Sequence, residues 1–172
     1  LYIPEGVQLV NGRVTVPLSV LTEAFDASLT WNAATGVVAV TRGSGALTPA
    51  DQYYNQDDLF WLCRIIYAES GNQPLEGMMA VGNVVFNRVN DPIYPNTIVG
   101  VLAQKNQFTT YQSGKLAYRT PNENSVIAAK LVLDGGVVEE TKGATHFDSC
   151  SNSWASRHKT CVAVIGGHRF YA

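Results

Sequence analysis

The 172 residues predict an α+β protein: a small strand-rich module, then a larger, mainly helical domain that closes with a small β-hairpin or sheet. Three observations carry this. Two short apolar runs flank Asn11-Gly12 in "VQLVNGRVTV", the strongest short-range signal for a hairpin. From Asp58 onward, apolar residues recur at helical spacing. From residue 144 the pattern returns to short runs, "ATHF", "CVAVI" and "HRFY", the last two joined by Gly166-Gly167.

In chain order, the hairpin is followed by "PLSVLTEAF". Pro17 stands near a helix start there, and Leu18, Leu21 and Phe25 fall on one face. "SLTW" and "GVVAVT" then flank the turn "NAATG". Residues 1–42 therefore read ββαββ. About 40 residues rarely bury a self-sufficient core, so this module is expected to lean on the rest of the chain or on another copy. The second option is the route to self-association. "RGSGALTPADQYYNQDD" (42–58) is rich in Gly, Pro and polar residues, which makes 43–57 a linker and 58–172 the second domain.

Asp57 or Asp58 can cap a helix with Leu59, Leu62, Cys63 and Ile66 on one stripe, stopped by Gly71. Pro74 opens a second helix through Val85 and Phe86, broken by "NDPIYPN". Thr97 starts a short helix through Leu102, "NQFTTYQSGK" reads as a loop, and a third long helix runs from Asn122 to Leu133 and ends at Gly135-Gly136.

Apolar residues make up 46% of the chain, enough for a sizeable core, and charged residues only 15%, against roughly 25% in an average soluble domain. The surface must rely on neutral polar groups, which suit hydroxyl-rich ligands such as glycans. A net charge of -2 gives no basic footprint and argues against nucleic acid. No apolar run approaches a membrane span. The chain opens on Leu1 without a targeting segment and reads as a piece of a longer precursor. Cys63 falls among apolar helix residues. Cys150 and Cys161 share the loop "CSNSWASRHKTC"; a bond between them would contribute about 3 kcal/mol in the chain-entropy model and would fit an exported protein.

Glu69 is the leading catalytic candidate. It lies seven residues after Leu62 and three after Ile66, so its side chain continues an apolar stripe at the last turn of a helix. Burial disfavours the carboxylate, and the partial negative charge of the helix C-terminus disfavours it again. Both raise its pKa, which is what donating a proton to a glycosidic oxygen requires. The competing readings are a surface glutamate on a frayed helix end and a structural carboxylate paired with Arg64 or another base. Of the acidic residues after Glu69, none stands in a motif that marks a second catalytic carboxylate.

"CRIIYAESGNQPLEGMMAVGNVVFNRVNDPIYPNTIVGVLAQKNQFT" and "SWASRHKTCVAVIGGHRFY" resemble the spore-cortex-lytic cell-wall hydrolases (the SleB/CwlJ kind) over roughly 58–172, with "YAE", "NRV", "PNTI", "QFT" and "IGGHRFY" in family order. The resemblance implies a lysozyme-like fold, an exported bacterial protein of the cell wall or spore, and action on peptidoglycan glycan strands. It places the acid/base glutamate after "YA", at Glu69. It favours lytic transglycosylase chemistry, in which one glutamate serves as acid and then as base. Simple hydrolysis, cleavage between sugar and peptide by an amidase, and a non-catalytic wall-binding module are the alternatives. Residues 1–42 resemble the N-terminal-like domain named after copper amine oxidases; they hold no His and no Cys, so no copper is expected.

Gln107, Phe108 and Tyr111 are candidates for substrate binding because they sit in a loop that reads as exposed, where aromatics can stack on sugar faces; a simple loop plug is the competing reading. Trp154 could line a groove or pin the cysteine loop. His168, in "GGHRFY", is either structural or groove-lining. Asn87 and Arg88 are expected to tie neighbouring elements together by hydrogen bonds. His146, Cys150, His158 and Cys161 invite a zinc reading, but their spacing fits no familiar finger, so neither a metal nor another cofactor is expected.

Overall fold

The computed structural model describes residues 8–11, 13–44 and 54–172, and the chain divides into two units, Leu1–Tyr53 and Tyr54–Ala172. The boundary falls inside the expected linker, of which residues 45–53 lie outside the described residues, as does Gly12 of the first hairpin turn.

The first unit has the expected ββαββ order. β1 (Gln8–Val10) and β2 (Arg13–Thr15) pair antiparallel, with Asn11 at φ 51° in the turn, the left-handed conformation that Asn tolerates better than most residues. α1 (Leu18–Ala24) leads to the hairpin of β3 (Ala27–Asn32) and β4 (Val37–Arg42), in register Leu29 with Val40 and Trp31 with Val38. The turn closes because the Asn32 side-chain oxygen accepts the backbone N–H groups of Ala34 and Thr35 at 3.0 and 3.2 Å. Thr22 is buried, while Phe25, Trp31, Val37 and Val40 are exposed.

In the second unit three helices form the core: α2 (Gln56–Ser70), α3 (Leu75–Asn90) and, after the short α4 (Ile98–Ala103) and α5 (Thr109–Gln112), α6 (Glu123–Leu133). Leu62, Ile65 and Ile66 of α2 meet Met78, Val81, Val84 and Val85 of α3 and Ala128, Ala129 and Val132 of α6, all buried. Gly82 lets the helices approach: a Cβ there would lie 3.1 Å from both Ile66 and Val132. α2 starts slightly before the expected position because Asn55, not Asp57 or Asp58, is its cap, accepting the N–H groups of both. Thr97 and Asn122 cap α4 and α6.

The C-terminal part adds β5 (His146–Asp148), α7 (Trp154–His158), β6 (Cys161–Ile165) and β7 (His168–Tyr171), whose sheet has the order β5-β7-β6, all antiparallel. α3 holds this part in place through polar side chains. Asn83 donates to the Gly136 carbonyl at 2.8 Å and accepts the Val138 N–H at 2.9 Å. Asn87 donates to the Ala144 carbonyl (2.8 Å) and Arg88 Nε to that of Thr145 (2.7 Å), the tying role expected of both. The loop "CSNSWASRHKTC" is not all loop. Ser153 and Ser156 form a reciprocal capping box, which starts α7.

Candidate functional site

Glu69 is half-buried in the last turn of α2, on the wall of an open cleft of about 440 Å³ lined by Tyr67, Ala68, Glu69, Gly71, Asn72, Arg119 and Asn122. Each element that builds this cleft has a local cause. α2 ends at Gly71, whose N–H still reaches the Tyr67 carbonyl at 3.0 Å. Its φ of -62° needs no glycine, but a Cβ there would fall 2.6 Å from the Tyr67 ring, so glycine is required for space. Across the cleft Asn122 does two jobs. Its side-chain oxygen caps α6 through the Ser125 N–H (2.9 Å), and its amide donates to the Gly71 carbonyl (3.0 Å). One residue thus fastens the start of α6 to the end of α2.

Burial raises the Glu69 pKa above its ordinary value, while nearby Thr110 and the Arg119 charge pull it partly back. The Thr110 hydroxyl is buried and lies near enough to act on the acid, yet completes no hydrogen bond of good geometry. No ion pair joins Glu69 to Arg64, whose guanidinium lies 3.6 Å over the Phe60 ring and donates to the Phe60 carbonyl at 3.1 Å. Among the described residues lining the cleft, Glu69 is the only carboxylate. A larger hollow of about 620 Å³ on the β3–β4 hairpin offers no titratable group.

The other candidates fare unevenly. Gln107 is exposed, between α4 and α5, and does not line the cleft. Phe108 is a correction. It is 3% exposed and part of the core, with the Arg88 guanidinium 5.5 Å from its ring centre, so it has no face free for a sugar. The polar residues around it in sequence hid this, since they gave the segment no helical stripe. Tyr111 is half-buried and meets Trp61 of α2 edge to face at 5.2 Å. It anchors α5 to α2, which brings the neighbouring Thr110 up to Glu69. His168 takes the structural of its two readings, not the groove-lining one. It is 8% exposed and edge-on to Phe147 at 5.5 Å, and burial lowers its pKa, against a smaller opposing effect of Asp148. Trp154 is 54% exposed and stacks on His158 at 4.9 Å, away from the Glu69 cleft lining.

The expected Cys150–Cys161 bond is not formed. Both thiols are free and exposed, Cys150 accepting the Asn152 N–H at 3.4 Å and Cys161 donating to the Ala163 carbonyl at 3.5 Å. Among the described residues no three His, Cys, Asp or Glu side chains converge as metal ligands. Burial, with the charges of Arg88 and Lys159, drives the His146 pKa down to about 4.

Sequence reasoning missed Arg119, Tyr67, Asn72 and Asn122 as cleft residues, and Thr110 as a neighbour of Glu69. Tyr67 and Asn72 flank Glu69 and were open to notice. Thr110 lies on the four-residue α5 and Arg119 just after the 3-10 turn Lys115–Tyr118, segments too short to leave a periodic trace.

A three-helix core that holds one half-buried carboxylic acid in a polar cleft has the layout of a proton-donating site. The chain belongs to the cell wall hydrolase family, whose pattern matches residues 72–171, starting just after Glu69. It is 40% identical over 121 residues to a spore cortex-lytic enzyme of Bacillus cereus, covering 68% of this chain and 45% of that protein. The spore cortex-lytic enzyme of Bacillus subtilis is 35% identical over 118 residues, 68% of this chain and 38% of that one. The chain therefore spans less than half the length of these relatives. Among solved structures, the catalytic domain of the germination-specific lytic transglycosylase SleB from Bacillus anthracis superimposes with a TM-score of 0.61 at 29% identity, covering 73% of this chain and all of that one. The SleB catalytic domain of Bacillus cereus gives the same TM-score and identity over 75% of this chain. Helices with small antiparallel sheets are thus the shared fold.

Proposed function

We propose that this chain cleaves the bond between N-acetylmuramic acid and N-acetylglucosamine in peptidoglycan as a lytic transglycosylase, with Glu69 as both acid and base. The observation that carries the reading is the cleft itself: its lining holds one carboxylate, and burial raises that group's pKa. A glycosidase of the ordinary kind needs two carboxylates, one for the leaving oxygen and one for water or as nucleophile. A single acid suffices when the second nucleophile belongs to the substrate.

Protonated Glu69 gives its proton to the glycosidic oxygen as the bond to muramic C1 breaks. The resulting glutamate takes the proton of the same sugar's C6 hydroxyl, and that oxygen closes on C1. The product is a 1,6-anhydro sugar, no water is consumed, and Glu69 ends protonated as it began. Arg119 and Thr110 then favour the ionised form that the second half needs, so the acid is held between two demands. Tyr67, Asn72 and Asn122 offer an aromatic face and amides for the sugars' hydroxyl and acetamido groups.

The names of the relatives support the substrate, and the ββαββ order supports reading the first unit as the copper-amine-oxidase N-terminal-like module. We assign that unit to anchoring on the wall or self-association, and the whole to the outside of a bacterial cell or to its spore. The test is digestion of purified peptidoglycan by the chain and by its Glu69→Gln variant. Soluble fragments from the first and none from the second support the reading; fragments from both refute it.

A further inference from the structure

The hollow of about 620 Å³ on the β3–β4 hairpin lies in the unit that the mechanism does not use. The strand register decides what lines it. Side chains alternate between the two faces of a strand, so Thr30 and Asn32 share a face with their partners Ala39 and Val37. All four line the hollow, together with Trp31 and the turn residue Thr35. Trp31 is 60% exposed.

The polar groups here are only partly used. The Asn32 side-chain oxygen closes the turn by accepting the N–H groups of Ala34 and Thr35, which leaves its amide N–H groups as donors for a ligand. Neither the Thr30 nor the Thr35 hydroxyl has a hydrogen-bond partner among the described residues. No lining residue ionises, so nothing in the hollow selects a charged ligand. An exposed indole beside two hydroxyls and an amide fits an uncharged ligand with an apolar face and a polar rim. A sugar ring has that form. Its C–H face covers an aromatic ring, and its hydroxyl and acetamido groups take the donors and acceptors at the edge; the ring supplies area and the polar groups fix orientation.

We propose that this hollow is a second, non-catalytic site that binds the N-acetylated glycan strand of peptidoglycan. That the strand is a wall glycan rests on the wall-cleaving reading of the Glu69 cleft; the uncharged chemistry of the hollow does not. N-acetylglucosamine carries no charge, and neither does the muramic carboxyl where an amide joins it to its peptide. Two sites on one chain raise the effective concentration of glycan at the cleft without any new contact there. The gain belongs to long, insoluble strands that engage both sites and vanishes on fragments too short to do so.

The test uses the full chain carrying Glu69→Gln, which binds without cleaving, and two probes. One is a soluble hexamer of N-acetylglucosamine, followed by NMR; the other is insoluble peptidoglycan, followed by co-sedimentation. The hexamer is expected to shift the Trp31 indole N–H and the amide signals of residues 30–39. Trp31→Ala should weaken co-sedimentation about tenfold, the size of a lost aromatic contact. Thr30→Val keeps a good strand residue and removes one hydroxyl, and should weaken it about fivefold. With Glu69 intact, Trp31→Ala should slow the solubilisation of insoluble peptidoglycan and leave cleavage of soluble fragments unchanged. Unshifted hairpin signals, co-sedimentation indifferent to both variants, or equal losses on insoluble and soluble substrate would overturn the proposal. So would a dimer that Trp31→Ala breaks up, since the face would then belong to a second copy. Glycan binding at Trp31 in a chain that cleaves no peptidoglycan would support this site and refute the catalytic reading of Glu69.

Discussion

Glu69 is shaped by what it lacks. It lies half-buried near the negative end of α2, and the only charge that offsets burial is that of exposed Arg119. Glu69→Gln should lower glycan cleavage by about 10² or more, the usual size of a general-acid contribution. The same change should leave the melting temperature unchanged or higher. The folded pKa is raised, so the native state holds its proton over a pH range where the unfolded chain has lost it. Stability therefore falls as pH rises from the ordinary carboxylate range through the raised pKa, and Glu69→Gln should stabilise most above that range, as melting scans across pH would show. Thr110 and Arg119 both hold the pKa down, so Thr110→Val and Arg119→Gln should each move the alkaline limb of the pH–rate profile upward; a downward shift would contradict their placement. His146 has the opposite sign. Its pKa falls from 6.5 to about 4, so the stability it contributes is complete above 6.5 and is lost as pH falls toward 4. Acid unfolding of a His146→Asn variant should be less steep across that window.

At the level of elements, the cleft depends on connections between helices. Asn122→Ala removes the α6 cap and frees the Gly71 carbonyl; urea unfolding should show a loss of about 1 kcal/mol, typical of a lost cap, and cleavage should fall with it because Glu69 lies two residues from the freed end. The helices themselves were legible. The stripe of Leu62, Ile66 and Glu69 and the helix starts at Asn122 and Thr97 are periodic or chemical signals that the fold obeys. Expecting Asn87 and Arg88 to tie elements together was also right. The short pieces were not legible. α5 and α7 have too few residues for a period, and Phe108 is buried because of what docks around it. Thr110 beside Glu69 is a tertiary fact of the same kind.

Across the whole molecule, two units of unequal self-sufficiency share the chain. The second owns the three-helix core and the Glu69 cleft; the first has only about 40 residues from which to build a core of its own. A chain of residues 54–172 should therefore fold, as followed by circular dichroism, and still cleave soluble glycan fragments, while binding intact wall more weakly. If it folds but cannot cleave, the first unit supplies part of the active site. The central claim, one acid acting twice, is tested most directly by mass spectrometry of peptidoglycan digested with the full chain. Muropeptides ending in 1,6-anhydromuramic acid, absent with Glu69→Gln, are the predicted products. Reducing ends carrying an added water, or free peptides with intact glycan, would contradict it.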